Sequence, residues 1–388
     1  DMAKSHYKIK VLTIGPGEEL FARFGHIALV VENVENGRSI VYNFGTFNFT
    51  DPELRIKYAR GFLNYWLSTV PLDLFLDFYK GENRDVYLQT LNLTNKQAED
   101  IAIKLDENAQ PENRYYAYRH YLDNCCTRIR NIIDDETDGA ISSKVKAIKV
   151  DRDFRYWTEY SLRGIPIIQS IILYSLGPSI DHRLTRWDEE FLPSVLFEDL
   201  KTIKLANTNK DLVLESKQIF KREGPSIGSV VPVLDISVIG FLIVILGLGF
   251  ILPIFYKQRF QSRRFLGLAL IVWSLIAGLG GLMLLLYWVA TTHYDTHYNE
   301  NLIVTPVTHL LLIWPGIVLL FKGTISKKSL NFFKYYLLIA TGFVFIDILL
   351  KAGPFIQGNY GTIALAATCN LLFYLALKRA FIDEQEKG

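Results

Sequence analysis

The chain has 388 residues, half of them hydrophobic, and a formal net charge of +2. A near-neutral balance without a dense Lys/Arg run excludes a phosphate-tracking groove, so no nucleic-acid partner is expected. The three cysteines, Cys125, Cys126 and Cys369, form no CxxC or Cys/His zinc spacing, and adjacent cysteines rarely pair because disulfide geometry strains the peptide between them.

The average composition hides two halves. Residues 1–228 carry most of the charge and read as one globular domain of α+β type, and residues 229–388 are mostly apolar. The chain opens Asp1-Met2-Ala3 without a basic-then-apolar leader, a start compatible with a removed secretory signal. HIALVVE (26–32) and SIVYNFGTF (39–47) read as strands of a hairpin joined by the turn-rich NVENGR. Asp51-Pro52 opens a helical stretch through about Tyr65, Asp73–Tyr79 is a second short helix, and Asp85–Leu93 reads as a strand. Thr94–Asn108 is predicted as a helix with a Thr94/Gln97 capping box. Cys125–Asp134 is predicted as a helix capped by Asn124 or Asp123. The apolar run 165–177 is too short to cross a bilayer; it reads either as a core helix or as a segment dipping into the outer leaflet.

Ile236–Tyr256 is apolar over about twenty residues, enough for a hydrocarbon core of roughly 30 Å. Comparable stretches follow at Leu266–Ala290, Leu302–Phe321, Phe332–Leu350 and Thr362–Leu377, which makes a bundle of five transmembrane helices. The loops alternate in charge. The first holds Lys257, Arg259, Arg263 and Arg264, the second no Lys or Arg, the third Lys322, Lys327, Lys328 and Lys334, and the fourth only Lys351. The positive-inside rule then places the C-terminus in the cytoplasm and the N-terminal domain outside it.

Cys125 is predicted at the first turn of a helix, where free N–H groups and the helix dipole favour thiolate and could bind an oxyanion. A nucleophilic cysteine needs a base, and His26 at the head of the first strand is the best candidate. Asn43, on the next strand, is the candidate for orienting the imidazole. Each residue alone also has a plain reading, a core histidine and a small buried apolar cysteine. Asn124 and Tyr42 adjoin these groups and are candidate substrate contacts. The loop 291–301, TTHYDTHYNEN, adds His293, Asn299 and Asn301 as further candidates. His293, Asp295 and His297 are too loosely spaced for a metal site, so no metal and no cofactor are expected.

Three segments carry a specific resemblance: YNFGTF, DVYLQTLNLT and PENRYYAYRHYLDNCCTRIRNIID, in that order. They are similar to the bacterial Lnb family, whose N-terminal exocytoplasmic domain resembles a permuted NlpC-type cysteine fold. Lecithin:retinol acyltransferase shows the same His-then-Cys order and an Asn-Cys motif. The family pattern, close to Asp-Asn-Cys-Thr-Thr-Arg, reads here Asp123-Asn124-Cys125-Cys126-Thr127-Arg128, which puts the nucleophile on Cys125 and the base on His26. The resemblance spans about residues 8–200 and continues weakly into the loop at His293, Asn299 and Asn301. It implies N-acylation of lipoproteins at the bacterial inner membrane. An acyl chain would pass from a membrane phospholipid, through a Cys125 thioester, to the α-amine of a diacylglyceryl-cysteine. The partners would be the phospholipid donor, the diacylated lipoprotein acceptor and the bilayer. A membrane-tethered cysteine hydrolase, or a binding module with a degenerate site, stays open from the residues alone.

Overall fold

The computed structural model describes residues 6–47, 57, 60, 61, 64–206, 208–256 and 260–381. The chain divides into two compact units. The first is Asp1–Gly164 with Arg183–Val230, and the second is Ile165–His182 with Val231–Gly388.

The first unit is built on a sheet of seven described strands. They are β1 (Tyr7–Ile14), β2 (His26–Asn33), β3 (Ser39–Thr46), β4 (Asn64–Pro71), β5 (Val86–Leu91), β6 (Tyr115–Ala117) and β7 (Val213–Phe220). Their order is β6-β4-β3-β2-β1-β5-β7 and every pairing is antiparallel. The expected hairpin is β2 paired with β3, Leu29 opposite Tyr42. The longer helices of this unit include α1 (Leu72–Gly81), α2 (Asn95–Ala109), α3 (Cys125–Glu136) and α4 (Phe154–Ser161). After α5 (Pro166–Ser175), which belongs to the second unit, the chain resumes with α6 (Pro193–Leu200).

Side chains alternate across a strand, so successive residues serve opposite faces. Ile27, Leu29 and Val31 of β2 pack with Ile101 and Leu105 of α2 and Ile129 and Ile133 of α3. Ala28 and Val30 pack on the other face with Phe75 and Tyr79 of α1. Both faces of the central strand are covered, which is why HIALVVE is a continuous apolar run and not an alternating one. The helical stretch expected from Asp51 lies mostly outside the described residues, and Tyr65, its expected end, is in β4.

The second unit holds five helices long and apolar enough to cross a membrane. They are α7 (Val233–Phe255), α8 (Phe260–Ala290), α9 (Asn301–Lys322), α10 (Lys327–Leu350) and α11 (Tyr360–Ala380). A 3-10 segment, Val307–Leu312, interrupts α9. The domain boundary expected after residue 228 lies at Val230/Val231, and residues 165–182 join the second unit. The physical reason is local. The Asn299 side-chain amide donates to the carbonyls of Tyr174 and Ser175 at 3.0 Å each, and that of Asn301 to Tyr174 O at 3.1 Å. These are carbonyls at the end of α5 that the helix itself cannot satisfy.

Candidate active site

The site begins with a helix cap. Asn124 has extended backbone angles, its Oδ1 accepts from Thr127 N at 3.0 Å, and Thr127 Oγ1 accepts from Asn124 N at 2.9 Å. The Asn124 amide nitrogen donates to His120 O at 2.8 Å and to Phe191 O at 2.9 Å. All hydrogen-bonding groups of this buried side chain are thus spent on holding the start of α3, so Asn124 positions the helix. Cys125 becomes the first helical residue. The N–H groups of Cys125 and Cys126 stand in the turn that has no intrahelical acceptor, while Thr127 N is taken by the cap.

His26 is the first residue of β2. Gly25 before it has φ +82°, and a Cβ there would lie 2.9 Å from Ile14 O, so no other residue fits this entry to the strand. His26 Nε2 lies 2.6 Å from Asn43 Oδ1, and the Asn43 amide nitrogen donates to Thr46 Oγ1 at 3.2 Å. Thr46 Oγ1 also pairs with Ser68 Oγ at 2.6 Å. Gly45 at φ +94° accompanies the register shift between Asn43 and Thr46 that lets these two side chains meet. Because Asn43 donates to Thr46, its Oδ1 faces the ring, so Nε2 carries the proton and Nδ1 keeps the lone pair. Nδ1 is therefore the ring nitrogen left to take a proton.

The Cys125 thiol is held well below its ordinary range. The largest cause is the hydrogen bond from Cys126. The His26 charge, a hydrogen bond with the His26 ring and the Ile27 backbone N–H act in the same direction, and burial opposes them. Cys126 is pushed up by burial and by its thiolate neighbour. One thiol is biased to ionise and the adjacent one to stay protonated as its donor. Cys125 is 9% exposed and Cys126 is fully buried, so only the first opens to a ligand.

Cys125, His26, Asn43 and Asn124 line one cavity of about 320 Å³. Its walls are aromatic, with Phe21, Phe24, Phe47, Tyr65, Phe78 and Phe191. Phe21 and Phe78 are each 59% exposed. Further lining residues that sequence reasoning missed include Tyr79, Glu82, Arg84, Tyr118 and His120. The Tyr79 ring stacks on His26 at 6.1 Å. His120 sits against Phe24 at 4.3 Å, and burial pushes its pKa down to about 4, so it is neutral at pH 7. His120 stands five residues before Cys125, a proximity that could have drawn notice; nothing in the sequence marks Arg84.

Residues 2–160 match the family model described as the Lnb N-terminal periplasmic domain. This part of the chain is similar to the N-terminal domain of the Lnb family. No curated protein and no solved structure matched the chain. The Lnb-type domain brings His26, Asn43, Asn124 and Cys125 together, and it sends Tyr42 elsewhere. Tyr42 faces the opposite side of β3 from Asn43 and donates to Asp106 of α2. Burial and that carboxylate raise its pKa. His293, Asn299 and Asn301 belong to the second unit. There the two asparagines hold α5, and the His293 backbone N–H donates to Thr291 Oγ1 at 3.3 Å. Among the described residues no three His, Cys, Asp or Glu side chains are grouped to hold a metal.

Proposed function

We propose that this membrane protein is a lipoprotein N-acyltransferase that works by a thioester on Cys125. The observation that carries the reading is the Cys125–His26–Asn43 arrangement opening into an aromatic cavity, in a chain with five membrane-capable helices. A thiolate beside an imidazole suits acyl transfer, and an apolar pocket suits a fatty chain. The family description as a periplasmic domain agrees with the loop charges. The domain then faces the periplasm from the inner membrane, with the C-terminus in the cytoplasm.

In the first half-reaction the Cys125 sulfur attacks an ester carbonyl of a membrane phospholipid, and its proton rests on His26 Nδ1. The carbonyl oxygen gains the negative charge, which the free N–H groups at the start of α3 stabilise. Collapse breaks the ester C–O bond, and His26 returns the proton to the departing glycerol oxygen. A lysophospholipid leaves and the acyl chain stays as a thioester. In the second half-reaction the α-amine of a diacylglyceryl-cysteine attacks the thioester, His26 accepts the amine proton, and the thiol is regenerated. The test is intact mass. The full-length protein incubated with phospholipid should gain one acyl chain on Cys125 and lose it to a diacylated lipopeptide amine. Loss to water at the same rate with and without that amine would point to a hydrolase.

A further inference from the structure

Arg84 lies between α1 and β5 and lines the same cavity as Cys125 and His26, and it is 3% exposed. Its Nε donates to Gly15 O at 2.9 Å, and its Nη1 to Glu82 Oε2 at 3.2 Å. The guanidinium sits over the Tyr79 ring at 4.9 Å. Nη2 is buried and has no partner among the described residues. A buried charged donor left open is costly, so a group that fills it is expected. Among the described lining residues Arg84 is the one Lys or Arg, with the Glu82 carboxylate beside it on the same wall and eight Phe and Tyr rings around the cavity. That combination fits an amphiphile with one anionic oxygen and an apolar chain.

Tyr79 fixes the spacing. Its ring contacts both the His26 imidazole and the Arg84 guanidinium. In a glycerophospholipid only two or three glycerol carbons separate each acyl ester from the phosphate, so one lipid needs its two polar partners as neighbours, and the shared Tyr79 ring makes His26 and Arg84 neighbours on one wall. We infer that Arg84 Nη2 receives a phosphate oxygen of the acyl donor, so that the cavity selects a glycerophospholipid over an uncharged glyceride. Guanidinium donors pair well with phosphate, and the three other Arg84 contacts hold the fork in place before the lipid arrives. This rests on the acyltransferase reading for the step that follows binding, and binding itself can be read apart from it.

The experiment uses the full-length protein in a nonionic detergent with two ester-matched lipids, dihexanoylphosphatidylcholine and dihexanoylglycerol. The rate of the hexanoyl adduct on Cys125 is followed by intact mass. The wild type should acylate roughly 10- to 100-fold faster from the phospholipid, the range for a hydrogen bond to a charged group. Arg84→Gln should bring the ratio of the two rates to within about twofold, and Arg84→Lys, which keeps the charge and loses the fork, should leave an intermediate ratio. A wild-type ratio near one, or an unchanged ratio in Arg84→Gln, overturns the inference. If the Gln variant does not fold, the wild-type and Lys ratios still decide. A second arm measures protection of Cys125 from iodoacetamide, which needs no transfer. If no adduct forms in the wild type, the acyltransferase reading fails. Protection by dihexanoylphosphatidylcholine that Arg84→Gln abolishes would still support the phosphate site, and no protection would overturn it. Equal, Arg84-dependent protection by inorganic phosphate at the same concentration would assign the site to free phosphate and overturn the lipid assignment.

Discussion

Cys125 and Cys126 are neighbours in sequence with opposite surroundings. Cys125 meets the Cys126 thiol, the His26 ring and the Ile27 N–H, while Cys126 is enclosed. Cys125→Ala should therefore abolish acyl transfer, and Cys126→Ala should keep a reduced rate, because it removes one donor to the thiolate and not the nucleophile. Full loss in Cys126→Ala with activity left in Cys125→Ala would move the nucleophile by one residue. Iodoacetamide reads the same asymmetry. Alkylation of Cys125 should persist as pH falls below about 8.5, the ordinary thiol value, and should fade only when the lowered thiol is protonated. His26→Ala removes two of the groups' favourable contributions, so its midpoint should move up; an unmoved midpoint would show that the imidazole does not act on the thiol. The same variant should slow transfer about 100- to 10,000-fold. Asn43→Ala should cost about tenfold, the order of one hydrogen bond. The residues alone offered His26, Asn43 and Cys125 as candidates beside plain readings as core groups, and it was the resemblance to the Lnb pattern that put the nucleophile on Cys125 and the base on His26. Arg84 was not legible, because its meaning lies in which of its nitrogens are already bonded, and only packing decides that.

At the scale of elements, α3 is the piece on which the site depends. Its cap was legible as Asn124 or Asp123, and the structure selects Asn124; Asp123 instead pairs with Arg128 at 2.6 Å. What the sequence could not give is the second half of the Asn124 side chain, whose amide holds His120 O and Phe191 O. Phe191 is distant in sequence, so this clamp exists only after folding. Asn124→Ala should lose the cap, worth about 0.5–2 kcal/mol, and leave two carbonyls without a donor. A total of about 2–4 kcal/mol is expected, read as a lower thermal unfolding midpoint of the protein in detergent. Asn124→Ser keeps a capping oxygen and should recover part of it; equal midpoints for Ser and Ala would remove the cap from the account. The Thr94/Gln97 box of α2 was equally legible and is present with both hydrogen bonds. Strand β1 was not named from sequence, since its lysines break the apolar run, although it sits near the centre of the sheet. Edge strand β7 is mostly exposed and carries too little hydrophobic pattern to read.

At the scale of the whole molecule, the five membrane-capable helices were legible from length and hydropathy, and the discontinuity of the first unit was not. Reporter fusions after residues 260, 296, 325, 356 and 388 should alternate in, out, in, out, in across the membrane; an outside signal at 388 would break the five-span topology. The discontinuity has a sharper consequence. Residues 165–182 leave the first unit and return to it, so a cut at the apparent boundary near 228 does not isolate a domain. It leaves α5 attached, with Ile168 and Ile171 already 42% and 51% exposed and the carbonyls of Tyr174 and Ser175 stripped of the Asn299 and Asn301 amides. An exposed apolar helix of this kind promotes association. A fragment of residues 1–230 should therefore aggregate without detergent. The same fragment with residues 165–182 replaced by a flexible Gly/Ser linker should be monodisperse by size exclusion, because Gly164 and Arg183 both belong to the first unit. The linker fragment should also keep the low alkylation midpoint of Cys125, since every group that lowers it lies in the first unit. Monodisperse behaviour of the uncut 1–230 fragment would show that α5 folds onto the first unit when the spans are gone. An ordinary thiol midpoint in a well-folded linker fragment would show that the site needs the second unit to form.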